Sequence, residues 1–335
     1  MAPHPNEHVL NPKIVGLQEE IQSLEDQQSQ IDEEIKPRTY KVVLPNVIGM
    51  SLFHAGAVYA LLFVVWKCHL MTILWASFVY FWSETGITAG SHRLWAHRSY
   101  KAKWPLRLLL AVLTLTAHQN SVFEWSRDHR VHHKFSETDS DPHNAKRGFF
   151  FSHVGWLLVK KHPDVIKDGQ KIDLSDLKSD PIVQYQHKYY TILMPLFCFI
   201  IPSITPTLWG EYLWNGLFVC GILRYVVSLN FTWLVNSAAH LWGNKPYDKY
   251  INPAENIFVA GVTFGEGWHN YHHTFPQDYR AGELGWRVNP TSMFIDFMAK
   301  IGLAYDLKTV SPAVIEARIQ RTGDVGLRKC MNKQD

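Results

Sequence analysis

Four apolar stretches, arranged as two closely spaced pairs, limit what this 335-residue chain can fold into. Residues 44–66 are almost free of charge and run through Leu52, Phe53, Leu61, Leu62 and Phe63. That length suits a hydrocarbon core of roughly 30 Å, which an α-helix crosses in about 20 residues. A polar break at Lys67-Cys68-His69 leads to a second stretch, 71–90, whose one charge is Glu84. A third, 191–209, carries Pro195, Pro202 and Pro206, which should kink it. After Gly210-Glu211 a fourth occupies 213–235, with Arg224 inside. Backbone groups in hydrocarbon must satisfy one another, so each stretch is read as a helix. Leu106–Leu115 is too short to span and reads as an interfacial or buried helix. The rival, a soluble protein with four buried helices, is opposed by span length and by the distribution of basic residues.

Residues 91–190 hold sixteen Lys and Arg and residues 236–335 hold eleven, while the connections near 67–70 and 210–212 hold one. Basic segments stay cytoplasmic, which puts both termini and the middle segment in the cytosol. The expected fold is an all-α integral membrane protein: four transmembrane helices in two hairpins under a cytosolic helical cap. Residues 1–40 form a polar tail, residues 41–325 the body, and residues 326–335 a C-terminal tail. Within the N-terminal tail Ile14, Leu17, Ile21, Leu24, Ile31 and Ile35 follow helical spacing. This segment is read as a short amphipathic helix or a frayed tail. No apolar run follows a basic start, so no cleaved signal peptide is expected. Formal charge is only +3, which gives no global attraction for nucleic acid. The four cysteines have no paired spacing and are read as reduced thiols.

Histidine carries the chemistry. His129, His132 and His133 stand at i, i+3 and i+4, which share one helical face, so all three rings are expected to point at the same spot. His269, His272 and His273 repeat the pattern. His92 and His97 follow the second stretch, and His240 follows the fourth with Asn236 one turn before it. Burying unpaired polar rings is costly, and neutral imidazole is a common metal ligand. Nine rings exceed the needs of one tetrahedral ion. They suit two metals with four or five ligands each, Asn236 holding a water at an open position. Such a site suits iron, zinc or copper, of which iron and copper bring dioxygen chemistry. Carboxylates that orient the rings are expected among Asp128, Glu124, Asp139, Asp141 and Glu266. Glu266-Gly-Trp-His269 is a single E-x-x-H. Soluble di-iron bundles use that motif twice, so that fold is rejected. His118, His143, His153, His162 and His187 are left as structural or surface residues.

The pattern H-x4-H, H-x2-HH and H-x2-HH, anchored to two membrane hairpins, resembles membrane fatty-acid desaturases. Its flanks narrow the resemblance: Gly86-Ile-Thr-Ala-Gly-Ser-His-Arg-Leu-Trp-Ala-His97, Trp125-Ser-Arg-Asp-His-Arg-Val-His-His-Lys-Phe, Trp233-Leu-Val-Asn-Ser-Ala-Ala-His240 and Gly265-Glu-Gly-Trp-His-Asn-Tyr-His-His273. They are similar to animal stearoyl-CoA (Δ9-type) desaturases, especially the insect branch, over about residues 38–325.

The resemblance implies two iron ions held by His92, His97, His129, His132, His133, His240, His269, His272 and His273, with Asn236 acting through water. It implies fatty acyl-CoA and O2 as substrates and a cis double bond as product. Head-group contacts carry over to Asn46, Asn120, Arg127, Asp128, Lys160 and Lys161, and tunnel aromatics to Trp125 and Trp233. Without it, Lys160 and Lys161 read as a solvated pair and the tryptophans as packing. Tyr80 and Glu84 fall where the acyl tunnel would close. Glu84 departs from the small apolar residue common there, and is expected either to alter chain-length preference or to pair with Arg224. No His-Pro-Gly-Gly haem stretch occurs, so electrons are expected from cytochrome b5 and its NADH-dependent reductase, at the endoplasmic reticulum membrane. The rival readings are Δ11 or another bond position, a di-iron hydroxylase, and a non-enzymatic metal-binding membrane protein.

Overall fold

The computed structural model describes residues 41–283 and 289–324. The expected N-terminal amphipathic helix and the tail 326–335 lie outside the described residues. Helix dominates. Among the described residues the one ladder pairs Lys101–Ala102 with Ala304–Tyr305, antiparallel.

Among the described residues three helices are long and apolar enough to cross a membrane: α1 (Leu44–Lys67), then Tyr190–Trp209 and Leu213–Leu241. Four were expected, and the second stretch is the one that differs. It forms α2 (Leu70–Thr85) and continues without interruption through wide π-type turns, Gly86–Ala96. Every residue from Ser83 to Ala96 is buried within the protein. Polar groups such as Ser83, Glu84, Thr85 and Thr88 are therefore accommodated by protein contacts, and they lower the apolarity that a lipid-facing span would need.

The short apolar segment forms α3 (Trp104–Ala117). Its Leu106, Leu110, Ala111 and Thr114 face inward and its Trp104, Leu108 and Leu109 stay exposed. This helix crosses α2 at Gly86, where an added Cβ would lie 2.5 Å from the backbone of Leu113 and Thr114. Thr114 Oγ1 donates to Gly86 O at 3.0 Å across the same crossing. Only glycine allows the two backbones so close.

Helix α4 (Val122–Phe135) carries the first His triplet. Ser121 caps it by accepting from Glu124 N at 3.2 Å, and donates in turn to Glu124 Oε2 at 3.1 Å. The Ser121 hydroxyl is thus an N-cap that the Glu124 carboxylate holds in place. Glu124 is thereby committed to the helix end and orients no histidine.

Helix α5 (Tyr190–Trp209) passes through its prolines with wide turns at Leu196–Ile200 and ends at Gly210, φ +84°. Glu211 then accepts from His69 N and Thr72 Oγ1, each at 2.8 Å, and from Asn215 Nδ2 at 2.7 Å. One carboxylate thus ties the two hairpin turns together. Helix α6 (Leu213–Leu241) packs on α1 through Tyr225, Leu229 and Trp233. Arg224 donates to the carbonyls of Cys220, Thr116 and Cys198 and forms no ion pair with Glu84. Short helices α7 (Ile257–Val262) and α8 (His269–Thr274) and the longer α9 (Pro290–Lys300) complete the cap over the site.

Candidate metal centre and its cavity

All nine predicted histidines converge, in two groups. His92, His97, His129, His133 and His272 form one, and His132, His240, His269 and His273 the other. Within each group the nearest ring nitrogens all lie within 4.8 Å of one another. The triplets do not point at one spot, as expected above. Each divides: i and i+4 (His129 and His133; His269 and His273) stay together, while i+3 (His132; His272) goes to the other group. At about 100° per residue, i+4 lies 40° from i on one side and i+3 lies 60° away on the other. A face narrow enough to look single in sequence therefore spans two adjacent sites. The groups touch where His133 and His273 stack at 4.1 Å.

The nitrogens meet head to head. His272 Nε2 is 3.0 Å from both His92 Nε2 and His133 Nε2. His269 Nε2 is 3.0 Å from His240 Nε2 and 3.1 Å from His273 Nε2, and His97 Nε2 is 2.8 Å from His129 Nε2. A neutral imidazole has one proton to share, so lone pairs must face one another. His132 Nε2 is buried with no hydrogen-bonding partner. Burial first, then neighbouring rings, holds His97, His129, His133, His269, His272 and His273 well below the usual imidazole range. Neutral rings with inward lone pairs form a donor set suited to a metal ion.

Carboxylates face three of the outer nitrogens. Glu266 Oε2 is 2.9 Å from His92 Nδ1, Asp141 Oδ1 accepts from His132 Nδ1 at 2.9 Å, and Glu137 Oε1 accepts from His240 Nδ1 at 2.7 Å. A proton kept on Nδ1 leaves the Nε2 lone pair free for a metal. Burial opposes ionisation of Glu266, but Arg93 and His92 outweigh it and lower its pKa. Asp141 is likewise lowered against burial, chiefly by His132. Asp141 and Glu266 were expected in this role, whereas Glu137 was missed. Asp128 instead pairs with Arg127 at 2.9 Å and with Lys161, and Asp139 groups with His162 and Asp164. His143, set aside as structural, packs on His132 at 4.3 Å between ring centres and forms a group with it and Asp141.

Two cavities meet at this centre. One, a partly open space of about 460 Å³, is lined by Glu84, Ile87, Thr88, Val235, Thr263 and rings of both His groups. An outer one of about 1030 Å³ is lined by Asn46, Asn120, Asp128, Trp156 and Trp233 among others. Trp125, His129, Thr232 and Asn236 line both, so the two cavities adjoin at these four side chains. Trp125 stacks on His129 at 4.8 Å. Of the predicted head-group residues, Asn46, Asn120 and Asp128 border the outer cavity, Arg127 and Lys161 reach it through Asp128, and Lys160 is exposed outside it. Asn236 borders both cavities beside His129. Glu84 is 1% exposed and accepts from Ser228 Oγ at 2.5 Å. Tyr80 lines neither cavity; its hydroxyl donates to Val262 O at 2.5 Å and its ring packs on Phe231 and Phe264.

A helical membrane protein with two adjacent polyhistidine clusters where two cavities adjoin belongs to a narrow class. The fatty acid desaturase family model matches residues 65–290, and the chain belongs to that family. It is 58% identical to human stearoyl-CoA desaturase 5 over 84% of this chain and 86% of that protein. Two proteins of the cricket Acheta domesticus are each 57% identical. One is an acyl-CoA Delta-9 desaturase, with 89% of this chain and 85% of the relative covered. The other is an acyl-CoA Delta12-desaturase, with 86% and 82% covered.

Proposed function

We propose that the chain is an oxygen-dependent acyl-CoA desaturase that places a cis double bond, at Δ9, in saturated C16 and C18 acyl chains. The observation that carries this is that two cavities adjoin at the histidine centre, sharing His129, Trp125 and Asn236, which would border the route of an extended chain. Each His group would hold one iron ion, with Asn236 contributing through a water. Iron supplies the dioxygen reduction and the oxidising strength that removal of hydrogen from an unactivated methylene demands. The protein supplies position. Asn46, Asn120, Arg127, Asp128, Lys160 and Lys161 would hold the CoA head group. Trp125 and Trp233 would flank the chain, and Glu84 would bound its far end, braced by Ser228 and with Tyr80 behind. A chain held at both ends presents a fixed carbon to the centre, which is the main contribution a binding site makes to such chemistry. The apolar inner wall keeps water from the reacting carbons.

The helix Leu70–Ala96 would act as the fourth membrane-crossing element, giving two hairpins with both termini in the cytosol at the endoplasmic reticulum. The body would span residues 41–325 between two tails. Cytochrome b5, fed by its NADH-dependent reductase, would deliver electrons to the basic cytosolic face. The Delta12 relative is as similar as the Delta-9 one, so bond position rests on tunnel depth and not on overall identity. Expression in a desaturase-deficient yeast, with double bonds located by mass spectrometry, tests the reading. Δ9 products support it; gain of oxygen without loss of hydrogen would indicate a hydroxylase, and absence of oxygen consumption with acyl-CoA a metal-binding protein.

A further inference from the structure

Arg93 directly follows His92 and is the largest of the fully buried side chains. A buried guanidinium is costly unless every donor is matched. Here Nε and Nη2 donate to Glu266 Oε1 at 3.1 and 2.8 Å. Nη1 donates to Tyr279 O at 3.0 Å, Arg280 O at 3.2 Å and Ser292 Oγ at 3.0 Å, and Nη2 also reaches Asn289 Oδ1 at 3.3 Å. The two oxygens of Glu266 are thus divided, one facing Arg93 and the other His92 Nδ1. Gly265, at φ +111°, presses the turn carrying Glu266 against Asn289, where an added Cβ would lie 2.6 Å from that side chain.

We propose that Arg93 is a positioning residue of the five-histidine group, holding Glu266 so that its free oxygen orients His92. The inference rests on the metal-binding reading above. The planar fork is what the geometry uses: two donors on one oxygen and others spread over carbonyls from the far side of the cap. A lysine offers a point charge and cannot reproduce it. The four-histidine group is anchored separately, by Glu137 and Asp141. Changing Arg93 should therefore weaken one metal and spare the other.

The test uses the full-length protein purified in detergent and titrated with Co(II), reading bound metal per chain and the ligand-field spectrum. Wild type should bind two ions. Arg93→Lys and Glu266→Gln should each weaken one of them by about 10- to 100-fold. The double variant should bind no more weakly than Glu266→Gln alone, because both changes act through one carboxylate. Glu266→Gln preserves size and serves if Arg93→Lys folds poorly. Two ions retained at wild-type affinity in Arg93→Lys would overturn the proposal. So would multiplied losses in the double variant, or equal weakening of both ions. A wild-type chain that binds no metal would instead defeat the metal reading beneath it.

Discussion

Glu137 Oε1 accepts a hydrogen bond from His240 Nδ1 at 2.7 Å, bridging 103 residues of chain. Glu137 sits at φ +63°, in the turn after α4, and its own N–H donates to Asp141 Oδ2 at 2.9 Å. Two carboxylates on one turn therefore orient His132 and His240. Replacing Glu137 with Gln should weaken metal at the four-histidine group by about 10- to 100-fold while the other group keeps its ion. Metal titration of the purified variant reads this directly, and an unchanged second affinity would count against it.

Glu84 borders the inner cavity, braced by Ser228. Removing the carboxylate in Glu84→Ala should lengthen the apolar space and shift the products of an expressing yeast toward longer acyl chains. Gas chromatography of the lipids reads the profile; an identical distribution would remove Glu84 from the specificity determinants.

Gly86 should tolerate no side chain. In Gly86→Ala the new Cβ meets main chain, which has no rotamer with which to yield. A loss of about 1–3 kcal/mol is expected, typical of overpacking, measured as a lower melting temperature in detergent. Because α2 carries His92 and His97, metal affinity should fall with it. A variant as stable as wild type would show that the helices separate easily at this crossing.

The metal-free protein should be acid-sensitive. Burial holds His97, His129, His133, His269, His272 and His273 below the usual imidazole value, so folding keeps them neutral. Unfolded, they titrate near about 6.5. The unfolded chain then binds more protons, and stability present above that pH is lost as pH falls below it. Melting of apo protein should drop steadily from about pH 7 to 5.5. Insensitivity across that window would mean the rings titrate in the fold as they do in the unfolded chain.

The membrane-crossing helices, the His boxes and the orienting roles of Asp141 and Glu266 were legible because each rests on local spacing or composition. The second apolar stretch was read as an ordinary span because periodicity does not report that its upper half packs against α3 and the cap. Glu137 and His143 escaped notice because nothing near them in the chain marks a partner; His240 lies 103 residues beyond Glu137. Opposite charge suggests a pair between Glu84 and Arg224, but backbone carbonyls take the guanidinium.

By itself the sequence determined that nine imidazoles would gather beside a set of apolar helices, since helical periodicity dictates which rings share a face. Only the tertiary structure decided how those rings divide. The 100° step spreads i+3 and i+4 to opposite sides of i, and which side meets which partner depends on how distant helices are packed. The two cavities that adjoin at His129, and the place of Glu84 in the lining of one of them, are set by that same packing.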